Sequence, residues 1–205
     1  MASTNAGQPG RGRSGVRLSG LGATPAVVVR PRRDDDIGPL ADILVRVHER
    51  DGYPVEGVDD PIAWLRAPNE LGSWTAEWDG VPVGHVMLLR AMASDDVVRS
   101  WRGRTGRDIS RLAILARLFV DPAARRLGAG RRLVTDALSH ASGLGCSVAL
   151  DVMMKDQAAI RLYESLGAQH LGGVCHHYGE GQAEPAAVYA WLDGVPGNRA
   201  QARRP

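Results

Sequence analysis

The chain has 205 residues, 44% hydrophobic and 23% charged, with a net charge of +2. That length suits one domain with a full core, and no run of about 18 apolar residues suggests a membrane-spanning helix. Two cysteines, Cys146 and Cys175, are too few for a disulfide scaffold and read as free, mostly buried thiols.

The first stretch, Met1 to Gly22, is polar and Gly-rich and lacks the apolar middle of a signal peptide, so a cytoplasmic location is expected. Residues 1–24 carry no hydrophobic period and read as a disordered basic arm with Arg11, Arg13 and Arg17. Arg199, Arg203 and Arg204 make residues 194–205 a second basic tail. Both arms read as solvated chain, with weak contact to a polyanion as the alternative, so a nucleic-acid partner is not expected. The folded domain is expected over 25–193.

Ala26 to Arg30 is a short β-branched run and predicts a first strand. Asp34, Asp35 and Asp36 offer N-caps to a helix whose apolar residues, Ile37, Leu40, Ile43, Leu44 and Val47, recur at helical spacing. Residues 52–60 read as loop, and Asp60-Pro61 opens a short helix to Arg66. Trp74 to Trp78 and Val81 to Arg90 flank Asp79-Gly80, a strong hairpin signal. Residues 92–110 read as a mobile loop or a short helix around Asp95 to Trp101, long enough to cover a site.

Leu112 to Val120 reads as a buried strand, ended by Asp121-Pro122. A turn through Arg125, Arg126, Gly128 and Gly130 leads into a helix with Leu133, Val134, Ala137, Leu138 and Ala141 on its apolar face. Ser147 to Met153 predicts a strand, parallel to 112–120. Asp156 can cap a further helix carrying Ala159, Ile160, Leu162, Tyr163 and Leu166. Two strands, about 170–176 and 187–192, close the order. Helices interleaved with a mostly antiparallel sheet make the class mixed α/β.

The turn at 125–131 carries the clearest chemistry. A helix start presents unpaired N–H groups and partial positive charge, which bind phosphate. Glycines 128 and 130 let the backbone approach a ligand, and Arg125, Arg126, Arg131 and Arg132 add positive charge. Neither a three-glycine dinucleotide fingerprint nor a Gly-Lys-Ser/Thr loop is present.

Arg125-x-x-Gly128-x-Gly130 resembles the Arg/Gln-x-x-Gly-x-Gly/Ala motif of the GNAT N-acetyltransferases, and follows a strand ending Leu118-Phe119-Val120-Asp121-Pro122, as in that family. Downstream, Ala159-Ile160-Arg161-Leu162-Tyr163-Glu164-Ser165-Leu166-Gly167 resembles the family's Ala-Ile-x-Leu-Tyr-x-x-x-Gly-Phe. Residues 112–173 carry the resemblance; the first half matches in element order and in Val83-Gly84-His85-Val86. The resemblance implies a mostly antiparallel sheet flanked by helices, acetyl-CoA as donor, and transfer of the acetyl group to a primary amine by direct attack on the thioester. A small-molecule amine is the leading acceptor. Protein N-termini or lysines, and a non-turning CoA-sensing or nucleic-acid-associated module, are the alternatives. A homodimer is left open.

By the same resemblance, the backbone of Leu118, Phe119 and Val120 pairs with the pantetheine arm. Arg125, Arg126, Gly128, Ala129, Gly130 and Arg131 hold the pyrophosphate. The Leu118 N–H faces the oxyanion, and Tyr163, beside the sulfur, is the acid for the leaving thiolate. Asp156 stands where the family has Asn against pantetheine, so that contact is in question; a helix N-cap is the other reading. The family's Glu position falls near Ile114, which cannot act as a base. Glu77, His85 and Asp151 remain as bases, with His85 entered as the catalytic candidate against a packed strand histidine, and Glu77 and Asp151 expected to face solvent. Neighbours along a strand point to opposite faces, so Cys175, His176 and His177 cannot converge on one ion and no metal is expected. Tyr53-Pro54 and Trp64 fall where the family often shapes its acceptor pocket.

Overall fold

The computed structural model describes residues 26–179 and 181–192; the basic arms, 1–24 and 194–205, lie outside the described residues. Strand β1 (Val27–Pro31) leads through a 3-10 turn (Asp34–Asp36) into α1 (Ile37–Asp51). Ile37, Leu40, Ile43, Leu44 and Val47 are all buried, as their spacing predicts. Asp36 differs from its expected capping role. It stands at the N-cap position but makes no side-chain bond to α1. Its carboxylate turns inward and accepts from both Arg30 guanidinium nitrogens at 2.6 and 2.7 Å and from the Thr75 hydroxyl at 3.0 Å. An arginine fork outcompetes a cap because its bonds are charge-assisted and doubled.

Helix α2 (Pro61–Trp64) starts as expected, the Asp60 carboxylate accepting from the Ala63 N–H at 2.9 Å. Strands β2 (Glu70–Trp78) and β3 (Val81–Arg90) meet at Asp79-Gly80, both with positive φ, the conformation a two-residue hairpin needs. Residues 92–110 take the helical of the two forms expected. They hold α3 (Asp96–Thr105), which buries Val97, Val98 and Trp101 against Leu112, Ile114, Ala149, Val188 and Ala190. Trp101 anchors the segment to the sheet.

The chain continues through β4 (Leu112–Val120), α4 (Ala129–Gly143), β5 (Ser147–Met153), α5 (Gln157–Ser165), β6 (Gln169–Tyr178) and β7 (Gln182–Trp191). Among the described residues, seven strands form one sheet in the order β1-β2-β3-β4-β5-β7-β6. All neighbours are antiparallel except β4 and β5, which run parallel. Helix α4 packs its predicted stripe on one face, against Val86, Leu88, Ala113, Leu115 and Leu150. Alternation along β3 and β4 puts α1 and α3 together on the other face, α1 over Phe119 and α3 over Ile114. No described helix is long and apolar enough to cross a membrane. The two cysteines are free but less buried than expected: Cys146 is half-buried before β5, and Cys175 is exposed because β6 is an edge strand.

Candidate active site

Two irregularities of β4 create the site. Its pairing with β5 runs only through Leu112–Ser147, Ala113–Val148 and Ile114–Ala149. Beyond Ile114 the strands diverge, so the edge of β4 from 115 onward keeps backbone groups that a ladder would otherwise use. On its other side β4 carries a bulge: His85 pairs Phe119 and Met87 pairs Ala116, leaving Arg117 and Leu118 opposite Val86 alone. Arg117 sits in the left-handed region at φ 57°, unusual for a residue with a side chain. Leu118, Phe119 and Val120 therefore lie on the free stretch of the splay.

The turn from β4 to α4 lies at the mouth of that splay. Gly128 is the N-cap, at φ 83°, and a Cβ built on it would stand in open space. Its hydrogen therefore answers to the backbone turn and leaves room for a ligand. Gly130 is different: a Cβ there would meet Leu162 at 3.4 Å and Val120 at 3.7 Å, ordinary contact distances, so its place between α5 and β4 is filled and not open. The amides of Ala129, Gly130 and Arg131 open the helix and have no carbonyl one turn earlier to bond. The arginines divide their work. Arg125 forms an ion pair with Asp51 at the end of α1, Arg131 donates to the Ser165 hydroxyl at 2.6 Å, and Arg132 reaches back to the Val27 carbonyl at 2.6 Å. Arg126, at φ 70°, is exposed. These donors fit a pyrophosphate through backbone amides, with the guanidiniums fixing the turn and supplying positive field.

Tyr163 is 6% exposed and packs edge-on to Trp191 at 6.2 Å between centroids. Burial, then the charges of Asp156 and Asp151, push its phenol above the ordinary value, so it stays protonated at neutral pH. Asp156 occupies the N-cap position of α5 without a side-chain cap bond. It lies 3.5 Å from the Lys155 ammonium, which in turn donates to the Asp51 and Gly52 carbonyls.

The far side of the splay, between α1–α2 and α3, holds a cluster that sequence reasoning did not assemble. His176 on β6 bonds Asp151 on β5 through Nδ1 at 3.1 Å and Glu56 of the α1–α2 connection through Nε2 at 2.9 Å. Those two carboxylates raise its pKa to about 10, so it is an imidazolium at neutral pH. Arg117 extends across the same face with its guanidinium 5.0 Å from the Trp64 ring centre. Tyr53 packs edge-on to Trp64, and burial first, then Tyr163 and Glu56, push its phenol well up. Tyr53 thus feels both the acid side and the far side of the splay. Tyr53 and Trp64 were legible as pocket residues only through the family resemblance. His176, Glu56 and Arg117 carried no local signal, because their meaning lies in contacts 25 to 120 positions away in the chain.

The three base candidates separate clearly. His85 is wholly buried, stacked on Phe119 at 5.5 Å. Its Nδ1 faces the Arg117 carbonyl at 3.0 Å and its Nε2 an Arg32 nitrogen at 3.3 Å. A carbonyl only accepts and a guanidinium only donates, so His85 is neutral with its proton on Nδ1. Burial pulls its pKa down to about 3. With both nitrogens engaged it is the packed strand histidine and has no free lone pair for a substrate. Glu77 does not face solvent; it is paired with Arg30 in the Asp36 network. Asp151 does not stand free in solvent either, being half-buried against His176. Of the three, Asp151 alone borders the splay. No group of three or more metal-ligating side chains occurs among the described residues.

Comparison with known proteins agrees with this geometry. The sequence model of the Acetyltransferase (GNAT) family matches residues 39–168. No curated protein sequence matches the chain. A putative acetyltransferase from Salmonella typhimurium, solved with acetyl-CoA, is similar in fold (18% identity, TM-score 0.60, 81% of this chain and 93% of that one). So is the ribosomal-protein-S18-alanine N-acetyltransferase of Escherichia coli (20% identity, TM-score 0.59, 84% and 97%). A putative phosphinothricin N-acetyltransferase is a third (16% identity, TM-score 0.59, 80% and 97%).

Proposed function

Since the chain belongs to the GNAT acetyltransferase family and is an acetyl-CoA-dependent N-acetyltransferase, we propose that it acetylates the primary amine of a small molecule by direct attack on the thioester. The observation that carries this reading is the bridge from Glu56 to His176, which joins the α1–α2 connection to β6 across β5. The bridge ties the α1–α2 connection down onto the sheet on the acceptor side, where a polypeptide acceptor needs an open groove.

Each residue then has a task. The amides of Ala129, Gly130 and Arg131 hold the pyrophosphate at the start of α4, and the free edge of β4 at Leu118 and Val120 aligns the pantetheine arm. His85 is a positioning residue. It grips the Arg117 carbonyl, and a trans peptide points its N–H opposite to its C=O, so the Leu118 N–H is turned away from β3, to the side where the strands part. That N–H stabilises the oxygen charge developing on the carbonyl carbon under attack. As the C–N bond forms and the C–S bond breaks, Tyr163 gives its phenolic proton to the departing sulfur. Asp151 and Glu56, each with one oxygen not used by His176, are placed to take the proton the amine sheds, directly or through water.

Acetyl-CoA incubated with a panel of small amines is expected to release thiol in step with N-acetyl product. Tyr163→Phe is expected to lower kcat roughly 100- to 1000-fold, within the range of a lost general acid, while calorimetric affinity for CoA stays unchanged. Turnover confined to peptides or intact proteins refutes the small-molecule reading.

A further inference from the structure

Arg117 is set apart from the other arginines that the fold half-buries. Among the described residues no carboxylate lies within ion-pair distance of it, whereas Arg30 is paired with Asp36 and Glu77, and Arg32 with Glu70. Its side-chain contacts are the Trp64 ring and the Met87 sulfur at 3.7 Å, a very weak acceptor. Glu70, the nearest acid on β2, is already taken by Arg32 at 3.1 Å and by the Ser73 hydroxyl at 2.6 Å. A half-buried guanidinium backed by an indole and lacking an anion is costly to keep, and its natural complement is a carboxylate brought by a ligand.

Its position excludes the phosphates of the donor. Trp64 and Met87 lie on the α1 face of the sheet, while α4, whose first amides form the phosphate turn, packs on the opposite face. Across the acceptor side stand Glu56 and Asp151, two carboxylates sharing the single imidazolium of His176 and so carrying one net negative charge. The pocket therefore presents a cation from β4 and a net anion from β5, β6 and the α1–α2 connection.

Resting on the small-molecule reading, we infer that the acceptor is an amine that carries its own carboxylate, of the free amino acid type, with its carboxylate on Arg117 and its ammonium toward Glu56 and Asp151. Trp64 stands against the guanidinium at 5.0 Å, and Tyr53, edge-on to Trp64, lies in the field of both Arg117 and Glu56. The arrangement reads a zwitterion by two opposite charges on separate elements, and a plain amine satisfies one of the two.

The test compares free amino acids with their carboxamides and with the corresponding decarboxylated amines, using the full chain and acetyl-CoA. The free acids are expected to be the better acceptors. Arg117→Gln is expected to raise KM for them roughly 10- to 100-fold, the weight of a charge-assisted pair, and to leave KM for the decarboxylated amines unchanged. A purely structural arginine moves both sets together, which overturns the assignment, as does equal turnover of acids and carboxamides. Titration of the amino acids into CoA-saturated protein gives a second readout, and no heat from any of them overturns the inference even where turnover is absent. Failure of the transferase reading itself shows separately, as an absence of heat when CoA alone is titrated.

Discussion

In the proposed reaction His85 acts without touching the substrate. Its ring is neutral by the logic of its two partners, and its Nδ1–H fixes the Arg117 carbonyl at the β4 bulge. His85→Phe keeps the stacking on Phe119 and removes the donor; His85→Asn keeps an N–H near the place of Nδ1 and removes the ring. The Phe variant is expected to lose roughly 10- to 100-fold in kcat, the range for a misplaced oxyanion donor at its lower end, with KM little altered, and the Asn variant to recover part of it. Because His85 titrates near 3, neither variant is expected to remove an inflection between pH 5 and 8 from the rate profile. Loss of such an inflection in His85→Phe restores His85 as a base. In the sequence this residue reads only as a strand histidine near a family motif; its role depends on a carbonyl 32 positions away.

Among the elements, legibility followed how local the cause is. The β2–β3 hairpin was written in Asp79-Gly80, and the β4–α4–β5 crossover in an apolar run, a glycine turn and a helical stripe. The bulge in β4 was not, because it is occupied by arginine and leucine, residues that mark no special backbone. Helix α3 was only half legible: its fold depends on Trp101 finding Val188 and Ala190 at the far end of the chain. Gly84 ties hairpin and bulge together. A Cβ there would lie 2.8 Å from the Phe119 carbonyl oxygen and 3.3 Å from Leu133. That backbone atom cannot swing aside as a side chain does. Gly84→Ala is expected to destabilise the protein by about 1–3 kcal/mol in a denaturant titration, and to lower kcat further by pushing β4 beside Leu118. A variant as stable and active as the parent shows that β3 and β4 can separate without consequence.

At the scale of the molecule, the acceptor side is assembled from positions 53, 56, 64, 117, 151 and 176, which only the folded sheet brings together; no window of sequence contains them. The latch of Glu56, His176 and Asp151 joins three separate segments, and it has a definite pH signature. His176 is raised from 6.5 to about 10 by its bonds to Asp151 and Glu56. A raised histidine gives its full stabilisation below the unfolded value, and that contribution falls as pH climbs from about 6.5 and is gone beyond about 10. Glu56 is lowered, chiefly by the same imidazolium, so its share is present above the ordinary glutamate range and fades as pH falls through it. Arg117, Tyr53 and Tyr178 are the other titratable groups near this cluster. Burial pushes the Tyr53 phenol up and Arg117 remains a guanidinium, so the slope through the neutral range belongs to His176. The measurement is the difference in Tm between the parent and His176→Asn across pH. It is expected to be largest near pH 5.5–6.5, to shrink steadily toward pH 10, and to shrink again below pH 4. An Asn side chain keeps an N–H near the place of Nδ1 for Asp151 and does not titrate, so the pH dependence of the difference reports the imidazolium. A gap that stays constant from pH 6.5 to 10 means that His176 carries no proton between its two acids, and the latch then holds the pocket by packing alone.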